Sequence, residues 1–426
     1  MTKSANWSGR TLDLEVGAPG HGGMCVAREA GRVVFVRHAL PGERVRAVVV
    51  EDAGGSFCRA DAVEILRASP DRVPPPCPHA GPGRCGGCDW QHASGPAQRA
   101  IKAAVVREQF RRLAGLDVAV DTAEELPGGL LGWRSRVTYA VSPDGQVGLY
   151  RHRSHAIEPV ARCPLAVPDA ATPPEPPEGV TGIEVATDDE GARSVLAHRP
   201  GAGRRGRGRR PPDRVDVVRG ASRLRHRVGG RTLEVAASGF WQVHPFALDA
   251  LAAALLDAVA PQPGETVLEL YAGAGPLTSV LADAVGPTGR VVGVESAPDA
   301  VRDAAANLAD RPWAAVIEGG VDEALVNALD VRPDVVVLDP PRAGAGAAVL
   351  AAVLRLGPRS VGYVSCDPAT LARDVRSAAA AGWRLGSLRA FDAFPMTHHV
   401  ECVALLIPEA VPDTSPRPDT HTAHSP

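Results

Sequence analysis

The segment Thr266-Val-Leu-Glu-Leu-Tyr-Ala-Gly-Ala-Gly275 decides the fold that this sequence predicts. An aliphatic strand runs into a glycine-rich turn, where glycines allow a tight bend and a close approach of the backbone to a ligand. A helix-length Ala/Leu segment follows, and the pattern then repeats. Further strands are predicted at residues 290–294, 314–317, 334–338 and 360–364, and apolar runs near 383–390 and 400–407 complete the set. These continuous, Val-rich strands indicate an α/β domain whose parallel sheet is covered on both faces.

The rest of the chain divides into three further parts. Residues 1–69 contain short β-branched runs between Pro/Gly turn signals, and this spacing predicts a small β-barrel of the oligonucleotide-binding type. The proline-rich stretch 70–78 marks a boundary, and residues 70–235 are predicted to form a mixed α+β central domain. The α/β domain then occupies residues 236–408. The tail 409–426 is rich in Pro, Thr, Ser and His, and it is predicted to be disordered.

Charge and composition exclude some classes of protein. The formal net charge of −3 argues against a protein that coats nucleic acid uniformly. In the stretch 199–231, however, twelve arginines stand against two aspartates, which indicates either phosphate contacts to RNA or a solvated basic insertion. Its part 201–212 is predicted to be a surface loop. The sequence shows no signal-peptide pattern and no run of about 18 apolar residues, so we expect a soluble cytoplasmic protein.

The glycine-rich loop indicates the type of cofactor. It has the spacing Gly273-x-Gly275 without a third glycine, and no phosphate-binding helix start is evident. The second predicted strand ends at Glu295, where a carboxylate can accept hydrogen bonds from both ribose hydroxyls of a nucleoside. S-adenosylmethionine is a nucleoside cofactor without phosphate, whereas dinucleotides need a phosphate cradle. The loop therefore favours a methyltransferase over a dehydrogenase.

Polar residues are also predicted at the carboxyl ends of the strands, where open α/β sheets bind their ligands. They are Asp339-Pro-Pro-Arg342, Cys366 before Asp367, and Glu401. A thiolate that adds to C6 of a uracil activates C5 toward a methyl group, and a base must then remove the C5 proton. Cys366, at a strand end, is the candidate nucleophile and is predicted to be a reactive thiolate. Glu401 is the candidate base. A packed, unreactive cysteine and a solvent-facing glutamate are the alternatives.

In a protein expected to be cytoplasmic, the eight cysteines are more typical of metal binding or catalysis than of disulfides. Cys77, Cys85 and Cys88 have the spacing C-x7-C-x2-C, and Cys163 is the natural fourth ligand. Four thiolates can hold either zinc or a 4Fe–4S cluster, and the spacing does not distinguish the two. We expect a structural role that cross-links the central domain and orients RNA. Packing positions are expected for the remaining three, Cys25, Cys58 and Cys402.

Together these motifs resemble the RNA 5-methyluridine methyltransferases, in the iron–sulfur branch that carries a TRAM domain and modifies ribosomal RNA. The resemblance covers nearly the whole chain. It rests on the barrel, the cysteine motif at 77–92, the segment Ser238-Gly-Phe-Trp-Gln-Val-His-Pro245 and the strand-end residues. It implies a class I, Rossmann-like methyltransferase domain that uses S-adenosylmethionine.

The resemblance also implies roles for single residues. Cys366 is implied as the nucleophile and Glu401 as the general base, and contacts to the cofactor or the target base are implied for Gln242, Tyr271, Glu295 and Asp339. At the cysteines it favours iron–sulfur over zinc. The implied substrate is 23S rRNA. A tRNA uridine, another methyl acceptor such as a nitrogen, and a non-catalytic RNA-binding factor are the alternatives, and we expect a monomer.

The chain departs from the family pattern in the cofactor loop. Ala272, Ala274 and Pro276 stand where the family often has Cys and Asn, so a side-chain contact to the cofactor is missing there. Arg342 stands where amino-group methyltransferases carry an aromatic residue that stacks on the base. This difference favours carbon over nitrogen as the methyl acceptor.

Overall fold

A computed structural model describes residues 6–201 and 214–409 of the chain. The predicted C-terminal tail and nearly all of the predicted arginine-rich loop lie outside these described residues, so both stay predictions. Within the described ranges, no helix combines the length and the apolar character that crossing a membrane requires.

Six strands form the N-terminal sheet: β1 (Thr11–Glu15), β2 (Pro19–Gly20), β3 (Met24–Glu29), β4 (Arg32–Arg37), β5 (Arg44–Glu51) and β6 (Phe57–Arg67). Their order is β1-β5-β6-β4-β3-β2, and the pairs are antiparallel except for β4 with β6. β1 also lies close to β3, so the sheet curls around one hydrophobic core. Buried and exposed residues alternate along β1 and place the apolar side chains inside. The predicted small barrel is confirmed.

The central part begins with a helix and continues as a sheet. Its elements are α1 (Gly95–Gln109), β7 (Glu124–Glu125), β8 (Arg136–Val141), β9 (Val147–Tyr150), β10 (Ile157–Pro159), β11 (Gly182–Thr187), β12 (Arg193–Arg199), β13 (Arg214–Gly220), β14 (Arg223–Val228) and β15 (Arg231–Ala236). Helix α1 begins at Ser94, whose side chain accepts a hydrogen bond from Ala97 N, and a proline occupies the first turn. An antiparallel sheet of order β10-β9-β8-β11-β12-β13 forms the body, and β14 and β15 form a separate hairpin.

The C-terminal part alternates helices and strands. Its elements are α2 (Ala247–Val259), β16 (Thr266–Leu270), α3 (Pro276–Val285), β17 (Arg290–Glu295), α4 (Pro298–Asn307), β18 (Ala314–Glu318), α5 (Glu323–Ala328), β19 (Val335–Leu338), α6 (Ala347–Arg355), β20 (Ser360–Ser365), α7 (Pro368–Ala380), β21 (Trp383–Asp392) and β22 (Glu401–Pro408). The sheet order is β18-β17-β16-β19-β20-β22-β21-β7. Strands β16 to β20 are parallel and β22 is antiparallel to β20. The predicted α/β fold class is confirmed.

Packing on both faces of this sheet explains the continuous apolar strands. Every residue of β19 and β20 is buried, and two large hydrophobic clusters lie on opposite faces. The order of the strands reverses between β16 and β19, because β17 and β18 lie to one side and β20 to the other. Such a reversal opens a crevice at the carboxyl ends of the strands, where ligands bind in this class of fold.

Helix α1 anchors the segment between β21 and β22. Lys102 is fully buried, forms an ion pair with Asp392, and donates to Phe394 O over 2.9 Å. One turn earlier, the side chain of Gln98 accepts from Met396 N over 2.7 Å. A buried ammonium is stable only when it is paired in this way. The central helix therefore fixes the segment that leads to Glu401.

Candidate active site

The predicted catalytic residues lie at one edge of the C-terminal sheet. Strands β16, β17, β19 and β20 are parallel, so Glu295, Asp339 and Cys366, at or just after their ends, share that edge. Strand β22 runs the other way and begins there with Glu401. Because Ser365 pairs with Cys402, Cys366 and Glu401 lie side by side on neighbouring strands.

The cofactor loop is tied to Glu295 at the end of β17. Gly273 N donates to Glu295 Oε2 over 3.0 Å, and Ala297 N donates to Oε1 over 2.7 Å. Ser296 Oγ also donates to Oε1, over 3.2 Å. Oε2 keeps a further lone pair, so Glu295 can still accept a hydrogen bond from a ribose hydroxyl. The structure therefore brings together Gly273 and Glu295 in the arrangement that a nucleoside cofactor needs.

Three residues of this loop have backbone angles in the left-handed region. The φ angles are 70° for Tyr271, 56° for Gly273 and 81° for Gly275. A Cβ at Gly275 would lie 3.3 Å from Ala304 on α4, so the loop packs closely on that helix. Tyr271 is not a glycine and is held in this conformation by a hydrogen bond from its N to Val294 O (2.9 Å).

Glu269 has the features of a functional residue, although its place in the sequence pattern is only that of a strand residue. It is 1% exposed, its Oε2 accepts from Thr278 Oγ1, and its Oε1 has no hydrogen-bond partner within the described part of the chain. Burial raises its pKa to about 8, and the nearby Asp339 and Glu295 carboxylates add to the shift. An acidic residue inside a strand that otherwise consists of buried apolar positions was the available signal.

The carboxyl groups of Glu269 and Asp339 indicate which kind of cofactor the cleft can hold. Burial raises the pKa of Asp339 to about 7, so it and Glu269 are incompletely ionised in the free protein. A cation near them favours their ionised forms, whereas a pyrophosphate would be repelled. S-adenosylmethionine carries a sulfonium and an ammonium group and no phosphate. The residues therefore fit this cofactor and not a dinucleotide.

Cys366 lies where it was predicted but not in the predicted state of ionisation. The residue is partly exposed, and burial raises the pKa of its thiol to about 11, with a further increase from Glu401. Arg342 opposes this shift. The thiol is therefore protonated at neutral pH in the free protein, because burial disfavours the thiolate and the nearby carboxyl groups add to that effect.

Glu401 is 2% exposed, so the alternative of a solvent-facing strand residue is wrong. Burial raises its pKa to about 8, the Asp339 carboxylate raises it further, and the Arg342 guanidinium lowers it. A carboxyl group with such a pKa can gain and lose a proton near neutral pH. Arg342 Nη2 also lies 3.5 Å from His399 Nε2, so the guanidinium stands on the Glu401 side of the cleft.

The segment that carries Gln242 follows directly after β15. Trp241 is buried and stacks on His226 with ring centroids 4.6 Å apart, while Gln242 is partly buried. Between β15 and this anchor, Phe240 is 79% exposed. An aromatic ring exposed beside an anchored segment can stack on an unpaired base. Phe240 stands within the segment 238–245, but no pattern in the sequence marks it as a functional residue.

Helix α4 links β15 to the cofactor loop. Asn307 accepts from Glu234 N over 2.9 Å and donates to Ala274 O over 3.1 Å. One turn earlier, Asp303 accepts from Ala236 N over 2.8 Å. Asn307 and Asp303 thus accept hydrogen bonds from backbone N–H groups of β15. These bonds hold the Gln242 segment near the cofactor loop.

The four predicted metal ligands line one cavity. Cys77, Cys85, Cys88 and Cys163 all contribute to its wall, and none of them forms a disulfide. Gln91 fixes two of them, because its Nε2 donates to Cys88 Sγ (3.0 Å) and its Oε1 accepts from Cys77 N (3.1 Å). Burial raises the pKa of the first three thiols, and proximity of the Cys163 sulfur adds to each shift. In the described ranges, no group of three or more His, Cys, Asp or Glu side chains is placed so that it could hold a metal ion.

Fold and site together define a class I methyltransferase domain that carries a cysteine and a buried glutamate at its cofactor edge, with a small barrel in front of it. The family model described as tRNA (uracil-5-)-methyltransferase matches residues 326–409, and the TRAM domain model matches residues 8–63. A model for protein-L-isoaspartate O-methyltransferase matches residues 245–322.

Full-length relatives identify the family. An uncharacterized RNA methyltransferase of Streptomyces avermitilis is 46% identical over 94% of this chain and 99% of its own length. The 23S rRNA (uracil(1939)-C(5))-methyltransferase of Alkalilimnicola ehrlichii is 32% identical over 94% of this chain and 97% of its own. The chain belongs to the RNA uracil-C5 methyltransferases, and the predicted family and TRAM domain are confirmed.

A solved structure shows the same fold over most of the chain. The tRNA (uracil-54, C5)-methyltransferase of Pyrococcus abyssi, in complex with S-adenosyl-L-homocysteine, aligns with a TM-score of 0.67. The alignment covers 93% of this chain and 100% of that one, at 20% identity. At this identity the likeness supports the fold and leaves the substrate to other observations.

Replacing Glu401 by Gln is expected to stabilise the protein, by an amount that grows between about pH 5 and pH 8. The pKa of Glu401 is about 8 in the folded protein and near 4.5 when unfolded, so the folded state binds more protons in this window. Stability of the parent protein therefore falls as pH rises through the window, and the amide removes that loss. Differential scanning calorimetry measures the difference, with Glu318→Gln as an exposed strand-end control. A difference that does not vary with pH would contradict the assignment.

Proposed function

We propose that this protein methylates carbon 5 of a uridine in RNA through a covalent adduct with Cys366. The observation that carries the proposal is the placement of Cys366 and Glu401 on paired strands at the cofactor edge. A thiol and a buried carboxyl group, side by side, are what an addition–elimination reaction on a pyrimidine requires. An N-methyltransferase needs neither group.

The cofactor and the base are bound by different residues of the cleft. We assign Glu295 to the ribose of S-adenosylmethionine, and Gly273 and Gly275 to the close approach of the loop. Contacts to the cofactor or the target uracil are assigned to Gln242, Tyr271 and Asp339. The cofactor supplies an electrophilic methyl group and a positive charge. That charge suits the buried Glu269 carboxyl group, whose Oε1 lacks a partner among the described residues.

The reaction begins when the Cys366 thiol releases its proton to solvent and its sulfur bonds to C6 of the uracil. The C5=C6 electrons move toward the C4 carbonyl oxygen, and C5 then takes the methyl group. Glu401, as carboxylate, removes the remaining proton from C5. The electron pair of that C–H bond restores the C5=C6 double bond, the C6–S bond breaks, and Cys366 is released as thiolate. The net products are 5-methyluridine, the demethylated cofactor and one proton.

Ribosomal RNA is the proposed substrate. The relative from Alkalilimnicola ehrlichii, named for 23S rRNA, matches nearly the whole chain at 32% identity, whereas the tRNA enzyme of known structure is 20% identical. A uridine must leave its stack before C5 and C6 are accessible, at a cost of a few kcal/mol. Stacking of a neighbouring base on the exposed Phe240 ring can offset part of that cost. We also propose that the protein acts as a monomer in the cytoplasm.

The choice between RNA substrates has a direct test. Mass spectrometry of RNA from a strain that lacks the protein is expected to show 5-methyluridine missing from 23S rRNA and retained in tRNA. The parent strain is the control. Loss from tRNA alone would assign the tRNA alternative, and loss from neither RNA would support the non-catalytic alternative.

Variants of the two catalytic candidates separate the steps of the reaction. Cys366→Ala is expected to lower methyl transfer at least about 10³-fold, because the nucleophile is lost. Glu401→Gln should instead accumulate a methylated covalent RNA–protein adduct, because the C5 proton stays in place and the thiol cannot leave. Denaturing gels with radiolabelled S-adenosylmethionine and rRNA from the deletion strain measure both outcomes. Cys402→Ala, which removes the neighbouring buried thiol, is the control, and an adduct with Cys366→Ala would disprove the assignment.

We propose that the cysteine cavity holds a 4Fe–4S cluster. A zinc ion needs four sulfurs at about 2.3 Å from one point, whereas a cubane cluster is ligated at four separated corners. Four free cysteines around one cavity support a group held by four thiolates, and the family resemblance of the cysteine motif favours iron–sulfur over zinc. Cys77, Cys85, Cys88 and Cys163 would hold it, and its role is structural.

Metal analysis after anaerobic purification tests this assignment. About four iron and four sulfide ions per chain are expected, together with visible absorption that is bleached by dithionite. Cys88→Ser is expected to lose most of the iron, whereas Cys58→Ser, in the barrel core, should keep it. One zinc ion per chain without colour would show that the zinc alternative is right.

A further inference from the structure

The N-terminal barrel contacts the residue that follows the candidate nucleophile. The loop between β2 and β3 carries His21, whose Nε2 lies 3.2 Å from Asp367 Oδ2. The other oxygen of Asp367 accepts from Ala369 N and Thr370 N, both over 2.9 Å, and so caps α7. The barrel and the helix cap together fix the carboxylate next to Cys366.

The barrel also contacts the segment that leads to Glu401, by way of Asp89 in the cysteine-rich loop. Asp89 Oδ2 accepts from His398 N (3.0 Å) and lies 2.7 Å from His398 Nδ1. Its Oδ1 lies 3.4 Å from Nη2 of Arg37, on β4 of the barrel. Arg37 and Asp89 are 6% and 8% exposed, so solvent screens this interaction little. The barrel, the cysteine-rich loop and the segment before Glu401 thus meet at the Asp89 carboxylate.

Close packing makes these contacts rigid. A Cβ at Gly23 of the barrel would lie 2.6 Å from Asp89 Cγ, so only glycine leaves room for Asp89. Asp89 N and Trp90 N both donate to Met396 O, over 2.9 and 3.0 Å. Met396 has a φ of 68°, a left-handed conformation that its neighbours must hold in place. The barrel, the cysteine-rich loop and the segment before Glu401 therefore form one packed unit.

We propose that His21, Arg37 and Asp89 act as positioning residues, a barrel clamp that sets the Cys366 segment relative to the Glu401 segment. Strands β20 and β22 fix where the two segments leave the sheet, and the clamp fixes the parts beyond it. A reacting group that is misplaced by one ångström can slow catalysis about 100-fold. The barrel then serves the chemical step as well as the binding of RNA. The expected effect on the rate of methyl transfer rests on the proposed function.

His21→Ala in the full-length protein tests the clamp, because His21 is partly exposed and lies in a loop. With saturating rRNA from the deletion strain, the single-turnover rate of methyl transfer is expected to fall about tenfold while the Kd for that RNA changes less than about twofold. His21→Gln keeps an N–H donor for Asp367 and should restore most of the rate. Arg59→Ala, on the barrel and paired with Glu51, is the matched control and should leave the rate unchanged.

Two outcomes would overturn the inference. Weaker RNA binding with an unchanged rate at saturation is the result for a barrel that only binds RNA. If the parent protein transfers no methyl group, the proposed function fails, and alkylation of Cys366 by iodoacetamide tests the clamp without RNA. Its rate, followed by peptide mass spectrometry, should change at least about threefold in His21→Ala and return in His21→Gln. An unchanged alkylation rate would then exclude the clamp.

Discussion

Burial of carboxyl groups at the carboxyl edge of one parallel sheet is the constraint on which this site depends. Glu269 and Glu401 are almost inaccessible, Asp339 is partly buried, and burial raises the pKa of all three to between about 7 and 8. In this environment ionisation is unfavourable until a positive charge arrives. Arg342 supplies part of it for Glu401 and Cys366. The rest of the positive charge that would favour the ionised carboxyl groups must come from a bound ligand. A cationic cofactor therefore fits the cleft, whereas a dinucleotide does not.

The topology of the sheet determines which of these groups lie next to each other. A wholly parallel sheet would place the start of the strand beside β20 at the opposite edge. Because β22 is antiparallel, it begins with Glu401 at the edge where β20 ends, and Cys366, directly after β20, lies opposite Glu401, one residue beyond the Ser365–Cys402 pair. Helix α1, the cysteine-rich loop and the barrel contact the segments that project beyond the sheet, through Lys102, Asp89 and His21. The fold thus places the two groups, and contacts from the other parts of the chain support the segments that carry them.

Much of this architecture could be predicted because its signals are local. Val-rich strands and Pro/Gly turns are patterns within a few residues of one another, and they predict the α/β sheet and the barrel. The contacts of Lys102 with Asp392 and of His21 with Asp367 join distant parts of the chain, and no pattern near either residue indicates them. The ionisation of Cys366 was predicted wrongly for a related reason. A strand end suggests exposure, but burial raises the pKa most, and the carboxyl groups of Glu401 and Asp339, from other strand ends, add to the shift.

Protonation of the Cys366 thiol limits its reactivity in the free protein. A thiolate in the free protein would be exposed to oxidation and to reaction with other electrophiles, and both reactions require the anion. Here burial, together with the nearby carboxyl groups, keeps the Cys366 thiol neutral in the free protein. Binding of a cation lowers the pKa of the thiol and of Glu401 together, because the same field acts on both. In the proposed mechanism, a bound cationic methyl donor would therefore also lower the pKa of Cys366, the proposed nucleophile.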